Sequence, residues 1–242
     1  MINNLKNILD QPAELLEFMV NNLQPKQVEK RRDGQVYTPP EEISDMHDTY
    51  GICIDKGILD DNTIWSNPNA TFLDLCCAMG QFSVQIYHRL MGGLKDWEPD
   101  EQKRKHHILS NMIYMIEKNE ADVEMCKMLF NFDINIWTGD YINDFELEEV
   151  WSQIHEQGGF MHIHTNPPYQ KENKKDPTKM NSGSPFYQDF IKKALINLKP
   201  NGYLLAIHPP TWKRPSSPRM TGLQIEHIIK QELLYLNTSD RT

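Results

Sequence analysis

Long apolar runs are missing from these 242 residues, and without about 18 consecutive apolar positions no membrane-spanning helix is expected. Met1–Gln11 lacks the basic segment and apolar stretch of a secretory signal. Cysteine is scarce: Cys53, Cys76, Cys77 and Cys126 show no C-x-x-C spacing, and adjacent Cys76 and Cys77 cannot easily bridge each other. That argues against a disulfide framework and against a metal site, and it suits reduced thiols in a cytoplasmic compartment. There is no internal repeat, no low-complexity tract and no G-x-G-x-x-G. Positive charge is also in deficit: the net charge of -9 argues against a protein that coats nucleic acid through charge alone. Locally the balance differs. Lys26–Arg32 leans basic, Lys171–Lys179 holds four lysines against two acids, and Lys213, Arg214 and Arg219 meet no acid. Each cluster taken alone reads as a solvated loop.

What is present is alternation. A helix is expected over Pro12–Leu23, then a second one beginning at Thr38 or Pro39, where proline suits the first turn and Glu41 and Glu42 suit the positive end. Short apolar runs predict strands at Thr71–Leu75, Ile113–Ile116, Ile134–Trp137, Phe160–His164 and Tyr203–Ile207. Helical stretches fall at Gln81–Leu90, Ala121–Phe130, Glu146–His155 and Phe186–Leu198. Met91–His106 reads as a charged surface loop, and Lys199–Gly202 as a turn ending the preceding helix. A last helix near Leu223–Gln231 and a sixth strand at Leu233–Leu236 complete the pattern. The fold class is therefore α/β, a mostly parallel sheet with helices on both faces. Ligands of such sheets sit at the carboxyl ends of the strands.

Several polar signals fall at those ends. Asp74-Leu75-Cys76-Cys77-Ala78-Met79-Gly80-Gln81-Phe82 is a strand end, a tight turn of small residues and a helix start. Such a turn admits a ligand close to the backbone, although it is equally a packed strand–helix connection. Glu117, followed by Lys118, ends the second strand and could accept hydrogen bonds from two ribose hydroxyls. Asp140, followed by Tyr141, ends the third and could hold an adenine amino group. A lone acid at a strand end is usually a turn former or a helix cap, but two in register with the turn indicate a nucleoside-containing cofactor. Asn166-Pro167-Pro168-Tyr169 follows the fourth strand. The two prolines fix the backbone, so the Pro167 carbonyl and the Asn166 side-chain oxygen can both accept from one amino group. Tyr169 can lie against the ring that bears it. The bland alternative is a rigid turn.

In this order the motifs resemble the N6-adenine DNA methyltransferases of the gamma arrangement, over Gly34 to about Pro210. The resemblance implies a Rossmann-like S-adenosylmethionine-dependent methyltransferase sheet. Tyr37, Thr38 and Pro39 would flank the methionine end of the cofactor, and Asp74, Cys76, Ala78, Gly80 and Phe82 would form its cradle. Glu117 would bind the ribose and Asp140 the adenine, with Lys118 and Tyr141 also in the cofactor site. Asn166 to Tyr169 would hold the target base, with Asn166 bordering the cofactor, and Phe186 would close the cofactor pocket. It also implies double-stranded DNA as partner, base flipping, direct in-line transfer and a restriction-modification context.

The sequence departs from the family at Ala78, where the first glycine of the turn is usual. Residues 1–34 read as an N-terminal helical and polar extension and 35–242 as the catalytic domain. On that division the C-terminal strands are incomplete and the target-recognition domain is absent, so a partner chain or a longer C-terminus would supply recognition. Three alternatives stay open. One is methylation of a protein glutamine amide or an RNA base, since the same residues can hold any planar NH2. Another is N4-cytosine modification, which Asn166 in place of serine disfavours. The last is a non-catalytic cofactor-binding subunit.

Overall fold

The computed structural model describes residues 8–11, 14–15, 18, 38–59, 62–172, 180–209 and 234, with only the backbone at 170–172 and 180–185. The expected helices at Pro12–Leu23 and Leu223–Gln231, the sixth strand, Tyr37 and the basic cluster Lys213–Arg219 lie outside these residues, apart from isolated positions. So do 173–179 of the lysine-rich stretch.

Five strands form one parallel sheet: β1 (Phe72–Leu75), β2 (Ile113–Glu117), β3 (Asn135–Thr138), β4 (Phe160–Thr165) and β7 (Leu198–Ala206), in the order β3-β2-β1-β4-β7. The order reverses between β1 and β4, which opens a crevice at their carboxyl ends. Gln170–Glu172 (β5) and Met180–Pro185 (β6) make a separate antiparallel pair just after β4. The helices are α1 (Pro40–Asp55), α2 (Gln81–Gly93), α3 (Glu101–His107), α4 (Glu120–Phe130), α5 (Leu147–Val150), α6 (Ser152–Glu156) and α7 (Tyr187–Asn197). No helix among the described residues is long and apolar enough to cross a membrane.

β1, β2 and β4 are buried along nearly their whole length, which is why they read as short apolar runs, whereas β3 and β7 at the edges of the sheet are only partly buried. Phe72, Ile113 and Met115 face a core completed by Val84, Leu90, Cys126 and Phe130. Leu73, Leu75, Tyr114, Ile116 and Ile163 face the opposite core with Phe145, Ile154 and Phe190. Across the first face runs a column of parallel rings. Trp65 stacks on Phe72 at 5.3 Å, Phe72 on His162 at 4.4 Å, and His162 on Tyr203 at 5.5 Å.

Four expectations are corrected. Met91–His106 is a loop only over 94–100: α2 runs on to Gly93, and Asp100 caps α3 by accepting from the Gln102 and Lys103 amides, each at 3.0 Å. The Asp100 signal was legible, but the helix lacks an apolar stripe. The Glu146–His155 helix breaks at Trp151, whose extended φ of -137° separates α5 from α6. Its ring packs edge-on against Tyr114 and Phe160, so tertiary packing overrides the helical pattern. Lys199–Gly202 does not separate α7 from its strand; it is a bulge inside β7, with the β4 register shifting between Phe160 and His162. Lys171 belongs to β5 rather than to a free loop.

Candidate functional site

The first wall of the crevice is the turn after β1. Asp74 is buried, and its Oδ2 accepts from the Ser83 amide at 2.9 Å and the Ser83 hydroxyl at 2.7 Å. It therefore ties the strand end to the first turn of α2 and shapes the cradle from behind. Burial pushes its carboxyl up to about 7, against the pull of both Ser83 donors. Between them Cys76, Ala78 and Gly80 take φ of 63°, 48° and 85°, three left-handed residues in alternation. Gly80 precedes α2 directly, and a Cβ there would sit 3.3 Å from both Cys126 Sγ and Phe130 Cε2. Burial, with the carboxylates of Glu117, Asp74 and Asp140, holds the Cys76 thiol well above its ordinary value. A thiolate nucleophile is thereby disfavoured in the crevice.

Ala78 carries a strain that glycine would not, since a left-handed L-residue costs roughly 1–2 kcal/mol. Ala78→Gly is therefore expected to stabilise the fold by about 0.5–1 kcal/mol after the extra unfolded-state entropy of glycine is subtracted. Thermal unfolding should show a rise of roughly 1–4 °C for a chain of this size. A lowered midpoint would mean that the Ala78 methyl contributes more packing than its backbone costs.

The next two walls are Glu117 and Asp140. Glu117 accepts from the Ala78 amide at 2.9 Å through Oε2, and from the Lys118 and Asn119 amides at 2.7 and 2.8 Å through Oε1. Burial raises its carboxyl above the ordinary value in spite of these donors. Three of about four acceptor positions are filled, so one remains for a ligand hydroxyl, and a second would require releasing a backbone donor. Asp140 Oδ1 caps the following turn through the Ile142 and Asn143 amides, with Lys118 Nζ 3.8 Å from Oδ2. Burial works to raise it, but the Asn143 and Ile142 donors and Lys118 together hold it below the usual value. Its side chain keeps 23% exposure and can still meet a ligand.

Two residues assigned to the cofactor by resemblance point elsewhere. The Tyr141 ring is buried, stacks on Phe190 at 5.8 Å and accepts from Asn197 Nδ2 at 2.9 Å through its hydroxyl. Phe82 is buried edge-on to His47 of α1. Both side chains are packing elements, because neighbouring positions along a helix or turn point in different directions.

At the end of β4 the polar groups converge. Asn166 Nδ2 donates to Thr38 Oγ1 at 2.9 Å, which joins the segment before α1 to the Asn-Pro-Pro-Tyr turn. The Asn166 side-chain oxygen is buried and has no hydrogen-bond partner among the described residues. A buried acceptor left unpaired costs about 1–3 kcal/mol, so a donor is wanted there. Pro167 is buried beside it, and Pro168 and Tyr169 are half-buried. The Phe186 amide donates to the Tyr169 carbonyl at 3.0 Å, and its ring packs edge-on to Phe190, so Phe186 borders this turn. Pro39 directly precedes α1.

Sequence reasoning missed a second polar group behind the turn. His47 and Tyr50 of α1 meet His162 and His164 of β4 in a buried hydrogen-bonded seam. The signals were the His-x-His alternation in a strand and a His–Tyr pair three apart on a helix.

The Eco57I restriction-modification methylase profile matches residues 69–234. A curated protein of Mycoplasma pneumoniae, described as an "uncharacterized adenine-specific methylase", is 33% identical over 91 residues; the match covers 38% of this chain and 20% of that protein. Among solved structures, the M protein of the type I restriction enzyme EcoKI aligns with 73% of this chain and 34% of its own, at TM-score 0.45 and 12% identity. The methyltransferase subunit of a Streptococcus thermophilus type I restriction-modification system aligns with 72% of this chain and 34% of its own, at TM-score 0.43 and 18% identity. The chain thus spans only a part of each of these relatives.

Proposed function

Because the chain belongs to the Eco57I restriction-modification methylase family, we propose that it transfers a methyl group from S-adenosylmethionine to N6 of an adenine flipped out of DNA. The observation that carries this reading is the Asn166 amide. Its nitrogen is engaged by Thr38, so its unpaired oxygen is left to accept from a substrate N–H. With the Pro167 carbonyl as a second acceptor, both hydrogens of one amino group can be held.

S-adenosylmethionine, when bound, supplies an electrophilic methyl group on a sulfonium. The donor set fits it: Glu117 keeps about one open acceptor position for a ribose hydroxyl, and the part-exposed Asp140 can take an adenine amino group. Asp74 holds the turn that backs the site. On the target side, two acceptors draw the amino nitrogen away from conjugation with its ring and free the lone pair for in-line attack. Tyr169 offers the ring a stacking face, as flipped bases require. Positioning and exclusion of water carry the step, without a covalent enzyme intermediate.

The test is an assay with labelled cofactor on four substrates side by side: adenine-containing duplex DNA, duplex lacking adenine, single-stranded RNA and a glutamine-containing peptide. Label in the first alone, recovered as N6-methyladenine after nuclease digestion, is the expected result. Preferential labelling of RNA or peptide would move the substrate class. Cofactor binding without transfer to any substrate would leave a binding subunit.

A further inference from the structure

The contacts between α1 and β4 run in order along both elements. Tyr50 Oη lies 3.1 Å from His162 Nδ1 and 3.1 Å from His164 Nε2, and His47 Nε2 lies 3.0 Å from His164 Nδ1. One step further, Thr38 meets Asn166. Residues 50, 47 and 38 thus pair with 162, 164 and 166 in an antiparallel zipper whose last tooth is the amide proposed to hold the target base.

We propose that His47, Tyr50 and His164 are positioning residues: their buried seam fixes α1 against β4 and so holds Thr38 where it orients the Asn166 amide. The proposal rests on the functional reading above and deepens it.

Proton bookkeeping supports a seam with one defined state. Tyr50 has a single O–H between two imidazole nitrogens, so it donates to one and accepts from the other. Each neutral ring carries one N–H, and fixing one donor fixes the rest. His47 Nδ1 is buried without a partner among the described residues. An unpaired lone pair is tolerated better there than an orphaned N–H. The favoured direction is therefore His47 Nε2–H to His164 Nδ1, His164 Nε2–H to Tyr50, and the Tyr50 O–H to His162 Nδ1. Neutral rings are what the surroundings favour. Burial first, then Arg89, holds His47 down to about 3, and burial with His47, His162 and Arg89 lowers His164. Arg89 itself reaches from α2 to Ser44 and Asp48 on α1, bracing the helix from outside. An apolar seam would bury the same faces without setting this register, because a directional network admits far fewer arrangements.

Two readouts test the proposal. In protein labelled with 15N-asparagine, the Asn166 side-chain amide resonance, assigned with Asn166→Asp, reports the Thr38 contact directly. His47→Leu and Tyr50→Phe should each move it the way Thr38→Val does, while His47→Gln, which keeps a donor near the Nε2 position, should leave it near wild type. In the transfer assay, His47→Leu and Tyr50→Phe should lower kcat by about tenfold or more, as small misplacements of reacting groups do. Their cofactor affinity should stay within about twofold of wild type, and His47→Gln should recover kcat to within about threefold, because the hydrogen bond is restored. An unmoved Asn166 resonance in folded His47→Leu or Tyr50→Phe protein overturns the proposal. So does an unmoved kcat. Tyr50→Phe, which removes one oxygen atom, decides the matter if His47→Leu does not fold. If even the wild type transfers no methyl group, the functional reading fails, and the resonance alone decides whether the seam orients Asn166.

Discussion

Asn166→Ala is expected to lower methyl transfer by at least about 100-fold, the scale on which removal of one preorganised transition-state hydrogen bond acts. The side chain is the link between two motifs: its nitrogen is engaged by Thr38 and its oxygen is unpaired and buried. Alanine removes both at once. Only interactions stronger in the transition state than in the ground state accelerate the chemical step, and the bond to the amino group strengthens as the nitrogen pyramidalises. The loss should therefore appear in kcat, with S-adenosylmethionine affinity by calorimetry within about twofold of wild type, a difference of under about 0.5 kcal/mol. Transfer at near wild-type rate by this variant would sink the proposed mechanism. A loss confined to cofactor affinity would place Asn166 on the cofactor side of the crevice.

Glu117→Ala should weaken S-adenosylmethionine binding by about 1.5–3 kcal/mol, or roughly 10–150-fold in Kd, the value of a hydrogen bond to a charged group. The carboxylate has two tasks, because it also gathers the amides of Ala78, Lys118 and Asn119. Glu117→Gln separates them. The glutamine oxygen can still accept, so the turn keeps part of its support while the carboxylate charge is gone. Binding by the glutamine variant midway between wild type and alanine is expected. Equal calorimetric affinity in all three proteins would remove Glu117 from the cofactor site.

β1, β2 and β4 were legible because each is short, largely apolar and buried, so sequence run and structural element nearly coincide. Phe72–Leu75 and Ile113–Glu117 match their apolar runs to within a residue. Harder to read was anything decided by a partner distant in sequence. The Trp151 break exists because its ring is needed between Tyr114 and Phe160, and nothing within Glu146–His155 announces that. The Lys199–Gly202 segment carries every mark of a turn, yet it pairs with β4 on both sides of a bulge. In the site, motif position identified which residues gather at the strand ends, whereas side-chain direction did not follow from it. Glu117, Asp140 and Asn166 flank the crevice, while Tyr141 and Phe82 turn into the core. The histidine seam was invisible for a related reason: a buried imidazole in a strand declares its purpose only when the facing helix is known.

The column of rings formed by Trp65, Phe72, His162 and Tyr203 also bears on how errors of assembly are rejected. Its last three members belong to β1, β4 and β7, strands brought together from remote parts of the chain, and parallel pairs of that kind form slowly. During such a search the commonest mistake is a slip by one residue, which turns every side chain to the opposite face. Where aliphatic residues are neighbours, as at Met115 and Ile116, a slip would exchange one for another at modest cost. Here it would carry His162 into the face occupied by Leu73, Leu75 and Ile163, leave its nitrogens without partners and break two stacks together. The rings therefore act as a key that only the native alignment fits.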